Sequence, residues 1–226
     1  MFATHILFSA LTVVSCGPND ADKVGEAQLC IDKSTKGTAA ACLEKVQGIE
    51  TKGAYTLRCS AGFIDEGFTQ PARFKQAFDA LGTNSSSNTE SFLGILAFSS
   101  KSTPTLNSSF ANETYNHCVK SEAKGLMLLG SMAKTATTLS TLAGSFVNGS
   151  QPTTTDIQTA ITSAMSDPTA KASIGSAVAT TYATSCQTGQ KADAALCTQM
   201  DAALVGVDIN DSTAVGNAML SYWQSN

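Results

Sequence analysis

Residues 52–68 read KGAYTLRCSAGFIDEGF, and within them Ala54, Leu57, Ala61, Ile64 and Phe68 recur at alternating steps of three and four. That period places all five on one face of an α-helix and leaves no strand-like alternation. The same signature returns at Phe74, Ala77, Phe78 and Leu81, at Ile157, Ala160, Ile161 and Ala164, and at Ala170, Ile174, Ala177, Val178 and Tyr182. Start signals agree: Pro71 and Pro168 sit near first turns, Thr155-Asp156 precedes the stripe at 157, and Asp211-Ser212 precedes Ala214-Val215. The spacing predicts helices over 21–33, 38–49, 53–67, 71–82, 88–100, 112–147, 156–166, 169–186, 191–204 and 212–224. Residues 205–209 have short β-branched alternation between two helical patterns and read as a connection. The fold class is therefore all-α, a bundle or array of antiparallel helical hairpins.

The chain has 226 residues, 42% hydrophobic, 14% charged and 7% aromatic, with 14 basic against 18 acidic side chains and a net charge of −4. Such a composition folds, since a disordered chain pairs low hydrophobicity with high charge, and it lacks the basic excess of a nucleic-acid binder. A chain of this size buries roughly 70% of its unfolded surface and needs no metal to form a core.

The first fifteen residues carry no Lys, Arg, Asp or Glu, and the run from Ile6 to Val14 is apolar but too short to span a bilayer. Residues 1–15 read as a signal peptide, 16–20 as a polar tether, and 21–226 as a single all-α domain with a hinge candidate at 148–155. Val13-Val14-Ser15-Cys16 resembles the lipobox of bacterial lipoprotein signals. The resemblance implies cleavage before Cys16, lipid attachment at Cys16 and, through that lipid, the membrane as a partner. Gly17 after the cysteine resembles lipoproteins sorted to the outer membrane. The leader Met1-Phe2-Ala3-Thr4-His5 lacks the usual Lys or Arg, and simple secretion with an unmodified Cys16 is the alternative.

Seven cysteines leave one over, and setting Cys16 aside leaves Cys30, Cys42, Cys59, Cys118, Cys186 and Cys197. Six can pair completely, as suits an exported protein. Cys30 and Cys42 bracket a turn-like segment, as do Cys186 and Cys197, which leaves Cys59 for Cys118. No CxxC occurs, and His117 is the one histidine outside the leader, so zinc-type spacing is missing and no metal or cofactor is expected. The hairpins 21–49 and 53–82 have similar length, and the second, from Leu57 through Gly67 to Ala77 and Leu81, resembles a tetratricopeptide unit.

Within 115–147, the run from Gly125 to Ala133 is the most apolar of the mature chain, and Lys134 ends it short of bilayer length. It reads as a central core helix. Ser131-Met132-Ala133-Lys134 resembles the S-x-x-K motif of penicillin-recognising serine enzymes. Ser121-Glu122-Ala123-Lys124 fits as well, and neither Lys-Thr-Gly nor Ser-Asp-Asn completes a site. His117 reads as a surface or cap residue, and Asp65-Glu66 as a solvated helix end or half of a carboxylate pair. Residues 208–212 resemble the start of a calcium loop but have Thr213 where Gly belongs and Met219 where Glu belongs, so Asp211 or Ser212 reads as a helix cap. Tyr222 and Trp223 dock the last helix. Phe63, Phe68, Phe74 and Phe78 belong to the core or line a groove between helices. Asn107 and Asn112 head N-glycosylation sequons that matter only in a eukaryotic exported protein. With no catalytic residues assigned, the expectation is a membrane-anchored helical binding or scaffold module that holds an envelope protein or small ligand and catalyses nothing. An envelope hydrolase is the alternative.

Overall fold

The computed structural model describes residues 19–69, 93–144, 153–187 and 194–225, and among them every regular element is helical. In chain order they are α1 (Asp20–Ile31), a 3-10 helix (Ala39–Val46), α2 (Lys52–Glu66), α3 (Pro104–Ser121), α4 (Lys124–Ala143), α5 (Thr154–Ala164), α6 (Pro168–Thr181) with a π-helical turn (Tyr182–Cys186), α7 (Ala194–Ala203) and α8 (Ser212–Ser225). Residues 205–209 form the connection that their position between helices implies. The stripes face inward: Ala54, Leu57, Ala61, Phe68, Ile157, Ala160, Ile161, Ala164, Ile174 and Ala177 are buried. The helices proposed over 71–82 and the start of 88–100, with Phe74, Phe78 and the second helix of the tetratricopeptide-like hairpin, lie outside the described residues. Of the latter stretch, 93–96 is helical and 98–100 is not.

Boundaries shift where a side chain caps the backbone earlier than expected. Asn19 and Asp22 form a capping box on α1, so Asn19 and Asp20 belong to the helix and not to the tether. Thr153 and Asp156 do the same for α5, which removes the last three residues from the proposed hinge; 145–152 lie outside the description. Residues 39–46 are 3-10 rather than α-helical.

The largest correction falls within 112–147, which is not one helix. Glu122 adopts a left-handed conformation (φ 57°) and ends α3. The Ser121 hydroxyl donates to the Cys118 carbonyl at 2.6 Å and accepts from the Ala123 N–H at 3.2 Å. These bonds satisfy groups that a helix end orphans, so the chain can turn without Gly or Pro. α4 then runs back along α3, bringing Gly130 against Cys118, Lys134 over Tyr115 and the Thr141 hydroxyl to the Pro104 carbonyl.

Three disulfides staple the array. Cys30–Cys42 joins α1 to the 3-10 helix, Cys59–Cys118 joins α2 to α3, and Cys186–Cys197 joins the π turn to α7, with Cα separations of 5.6, 4.9 and 5.3 Å. A small core among α1, the 3-10 helix and α2 adjoins a larger one that centres on α4. Among the described residues, no helix is long and apolar enough to cross a membrane.

Candidate functional site

The fold-back of α4 on α3 builds the site. Thr103 caps α3 by accepting from the Leu106 N–H, and Pro104 occupies the first turn, where its missing N–H costs nothing. Inside that turn the Asn107 side chain is buried and accepts from the Lys101 N–H at 2.8 Å, which fixes the loop entering the helix. One face of α3 then presents Thr105, Ser108, Ser109 and Asn112. α4 presents Lys134, Thr138 and Thr141 at steps of four and three, and α6 contributes Ser173. Together they line a cleft of about 330 Å³.

Lys134 is the one charged side chain in that lining. Its ammonium lies 4.6 Å from the centroid of the buried Tyr115 ring, a cation–π contact that holds it without neutralising it. Burial lowers its pKa from the ordinary lysine value, and no carboxylate among the lining residues offsets that. The threonines beside it have committed their protons: Thr138 donates to the Lys134 carbonyl at 2.9 Å, and Thr141 donates to the Thr137 and Pro104 carbonyls at 2.8 and 3.3 Å. Each keeps lone pairs and can still accept. The α4 wall therefore combines one cationic donor with fixed neutral acceptors.

Neither a protein-family model, a curated protein nor a solved structure matches this chain. Its chemistry has to be read from its own side chains.

The other residues singled out in the sequence fall into structural positions. Ser131 is 2% exposed, donates to the Leu128 carbonyl at 2.8 Å and lies against the Thr181 hydroxyl, so it faces α6 and is not among the residues lining the cleft that contains Lys134. Ser121 is the buried hinge of the α3–α4 turn. Asp65 and Glu66 are buried, not solvated, and they do not form a pair. The Asp65 carboxylate accepts from the N–H groups of Ala39 and Ala40 at 2.7 and 3.1 Å and so caps the 3-10 helix. Glu66 accepts from the N–H groups of Ser99 and Ser100 at 2.6 and 3.1 Å. His117 is half-buried rather than a surface or cap residue. It stacks on Tyr55 at 5.9 Å with Nε2 3.6 Å from Glu113, and burial, with Arg58 and Lys120 nearby, lowers its pKa against the pull of Glu113.

Phe63 and Phe68 pack with Phe98 in the core. Asp211 caps α8 by accepting from the N–H groups of Thr213 and Ala214, both at 3.0 Å, and Trp223 packs on the main core. Asn112 is exposed, whereas Asn107 is buried. Among the described residues, no His, Cys, Asp or Glu cluster could hold a metal. Residues 1–18, including Cys16, lie outside the description. The cleft itself is not foreseen from the sequence. Its signal is present as the polar series Lys134, Thr138, Thr141 interrupting an apolar helix, but the series acquires meaning only once α3 is placed opposite.

Proposed function

We propose that this chain is a lipid-anchored cell-envelope protein, tethered through Cys16 to the outer membrane, that acts as a helical binding module without catalysis. Its ligand sits in the cleft between α3, α4 and α6. The observation that carries the reading is Lys134, a half-buried cation that faces a cleft of neutral hydroxyls and bears a desolvation penalty with no carboxylate there to offset it. The contact with Tyr115 holds the ammonium in place without supplying a counter-charge, and a cation so placed in a cleft lining supports reading the cleft as a binding site. Export is supported by the lipobox-like Val13-Val14-Ser15-Cys16 and by a cysteine count that leaves Cys16 over once three disulfides form. The disulfides stiffen the scaffold for an oxidising compartment.

Two measurements test this. Mass spectrometry of the mature N-terminus should find a diacylglyceryl group on Cys16; an unmodified Cys16 in a soluble fraction defeats the anchor. Lys134→Met should leave the fold intact, because relief of the buried charge and retained packing of the stem offset the lost contact with Tyr115, yet abolish activity in a native-envelope assay. Undiminished activity defeats the cleft. A loss of activity on altering Glu66 or His117, with the fold intact, would instead favour catalysis.

A further inference from the structure

We infer that the ligand of the Lys134 cleft is a small hydroxylated carboxylate, of which an acidic sugar of the hexuronate type is the fitting class; the inference rests on reading that cleft as the binding site. Lys134 is the one charged side chain in the lining, so an anion is the complementary ligand charge, and a carboxylate would form a charge-assisted hydrogen bond with an ammonium that Tyr115 positions but does not neutralise. The anion alone is not sufficient. Thr138 and Thr141 donate their hydroxyl protons to backbone carbonyls, so within the same lining they offer acceptors, and a ligand that brings donors matches them. Sugar hydroxyls do so. A fully ionised sulfate brings none, and a fatty acid brings a tail for which the lining has no large apolar side chain. An amino acid would bring a donor, but its ammonium would stand near Lys134 with no carboxylate in the lining to receive it.

The opposite wall completes the match. Ser108 and Asn112 on α3 have side chains able both to donate and to accept, which suits hydroxyls that do both. The cleft volume of about 330 Å³ falls at the small end of ligand clefts and suits one or two sugar rings rather than a polymer chain.

The test titrates the mature, disulfide-intact protein with glucuronate, glucose, acetate and inorganic phosphate, following backbone amide shifts and heats of binding. Glucuronate should shift amides of α3, α4 and α6 around the cleft and bind at least tenfold more tightly than the other three. Lys134→Met should weaken it by tenfold or more. Thr138→Val should weaken it several-fold with circular dichroism unchanged, because the lost hydroxyl bond is internal to the helix. Silence towards glucuronate, equal binding of glucose or acetate, or tighter binding of phosphate overturns the ligand class. Glucuronate shifts that persist in Lys134→Met also overturn it, by placing the sugar elsewhere. The cleft reading fails separately, when Lys134→Met retains full activity in the native envelope.

Discussion

Two regions of the molecule solve the same packing problem with different chemistry. Where α2 meets its neighbours, contacts are fastened by charge and covalent bonds: Asp65 and Glu66 each grip the backbone of a distant segment, and Cys59–Cys118 locks α2 to α3. Where α6 meets α8 there is no crosslink, and contact is made by omission. A Cβ built on Gly175 would fall on the Ser212 carbonyl oxygen, and one on Gly216 would fall on the Lys171 carbonyl oxygen. Two backbones approach there as closely as they can, and this pair makes the most extensive helix contact among the described elements. The composition shifts with this contrast, since every Phe and most Asp, Glu, Lys and Arg side chains precede residue 148. Gly62 also lets α3 come close to α2, against the Thr114 side chain, but at the α6–α8 crossing it is backbone that meets backbone.

The strongest way to break the comparison is to put a side chain into the α6–α8 crossing. Gly175→Val should cost on the order of 5 kcal/mol, enough to unfold a domain of ordinary stability, since rigid backbone and not a movable side chain is in the way. Gly25→Ala in α1, where a Cβ meets nothing, should instead stabilise by roughly 0.5–1 kcal/mol. Urea denaturation of both variants measures the difference. Similar effects would mean that the crossing is looser than its geometry.

Next in size are the crosslinks. Chain entropy predicts a loss of about 4 kcal/mol when Cys59 and Cys118 are both replaced by Ser, because the loop they close spans 59 residues. The pairs at sequence separations of 12 and 11 should each cost about 3 kcal/mol. Melting of the three double variants checks the order, and equal losses would assign the stabilisation to something other than loop closure.

Much of this architecture is legible in the amino-acid sequence. The 3-4 spacing of residues 54–68 fixes a helix face because burial is periodic, and cysteine parity with short bracketed turns identifies all three disulfides. Two features stay hidden for physical reasons. Glu122 takes a left-handed conformation with no Gly or Pro to announce it, so the α3–α4 turn reads as continuous helix, and that reading leaves Lys134 without a cleft. The partners of Asp65 and Glu66 lie 25–34 residues away, beyond any local pattern, and an acidic pair at a helix end otherwise reads as solvated.

Glu66 supplies the third test. Glu66→Gln keeps the shape but removes the charge from two backbone bonds and turns one acceptor into a donor facing an N–H. It should cost roughly 1–3 kcal/mol. Hydrogen exchange at Ser99 and Ser100 should rise in step, and unchanged protection there would show that the loop is held by its apolar neighbours.

The smallest effect concerns His117, where the tightly fastened region around α2 responds to pH. Its pKa in the fold is lowered, chiefly by burial, so between that value and the unfolded value of 6.5 the unfolded chain binds more protons than the folded one. Stability therefore rises with pH across this window: the contribution is complete above pH 6.5 and is lost as pH falls through the window. The groups facing the ring agree in sign, since Arg58 and Lys120 oppose protonation and Glu113 recovers only part of the difference. Denaturation midpoints of the wild type should fall between about pH 7 and pH 5 by more than those of His117→Gln, in which this proton is absent. Glu113→Gln should widen the fall, because it removes the one carboxylate that favours the imidazolium. Parallel profiles for the wild type and His117→Gln would mean that water reaches the ring freely, and the stack on Tyr55 would then be a surface contact.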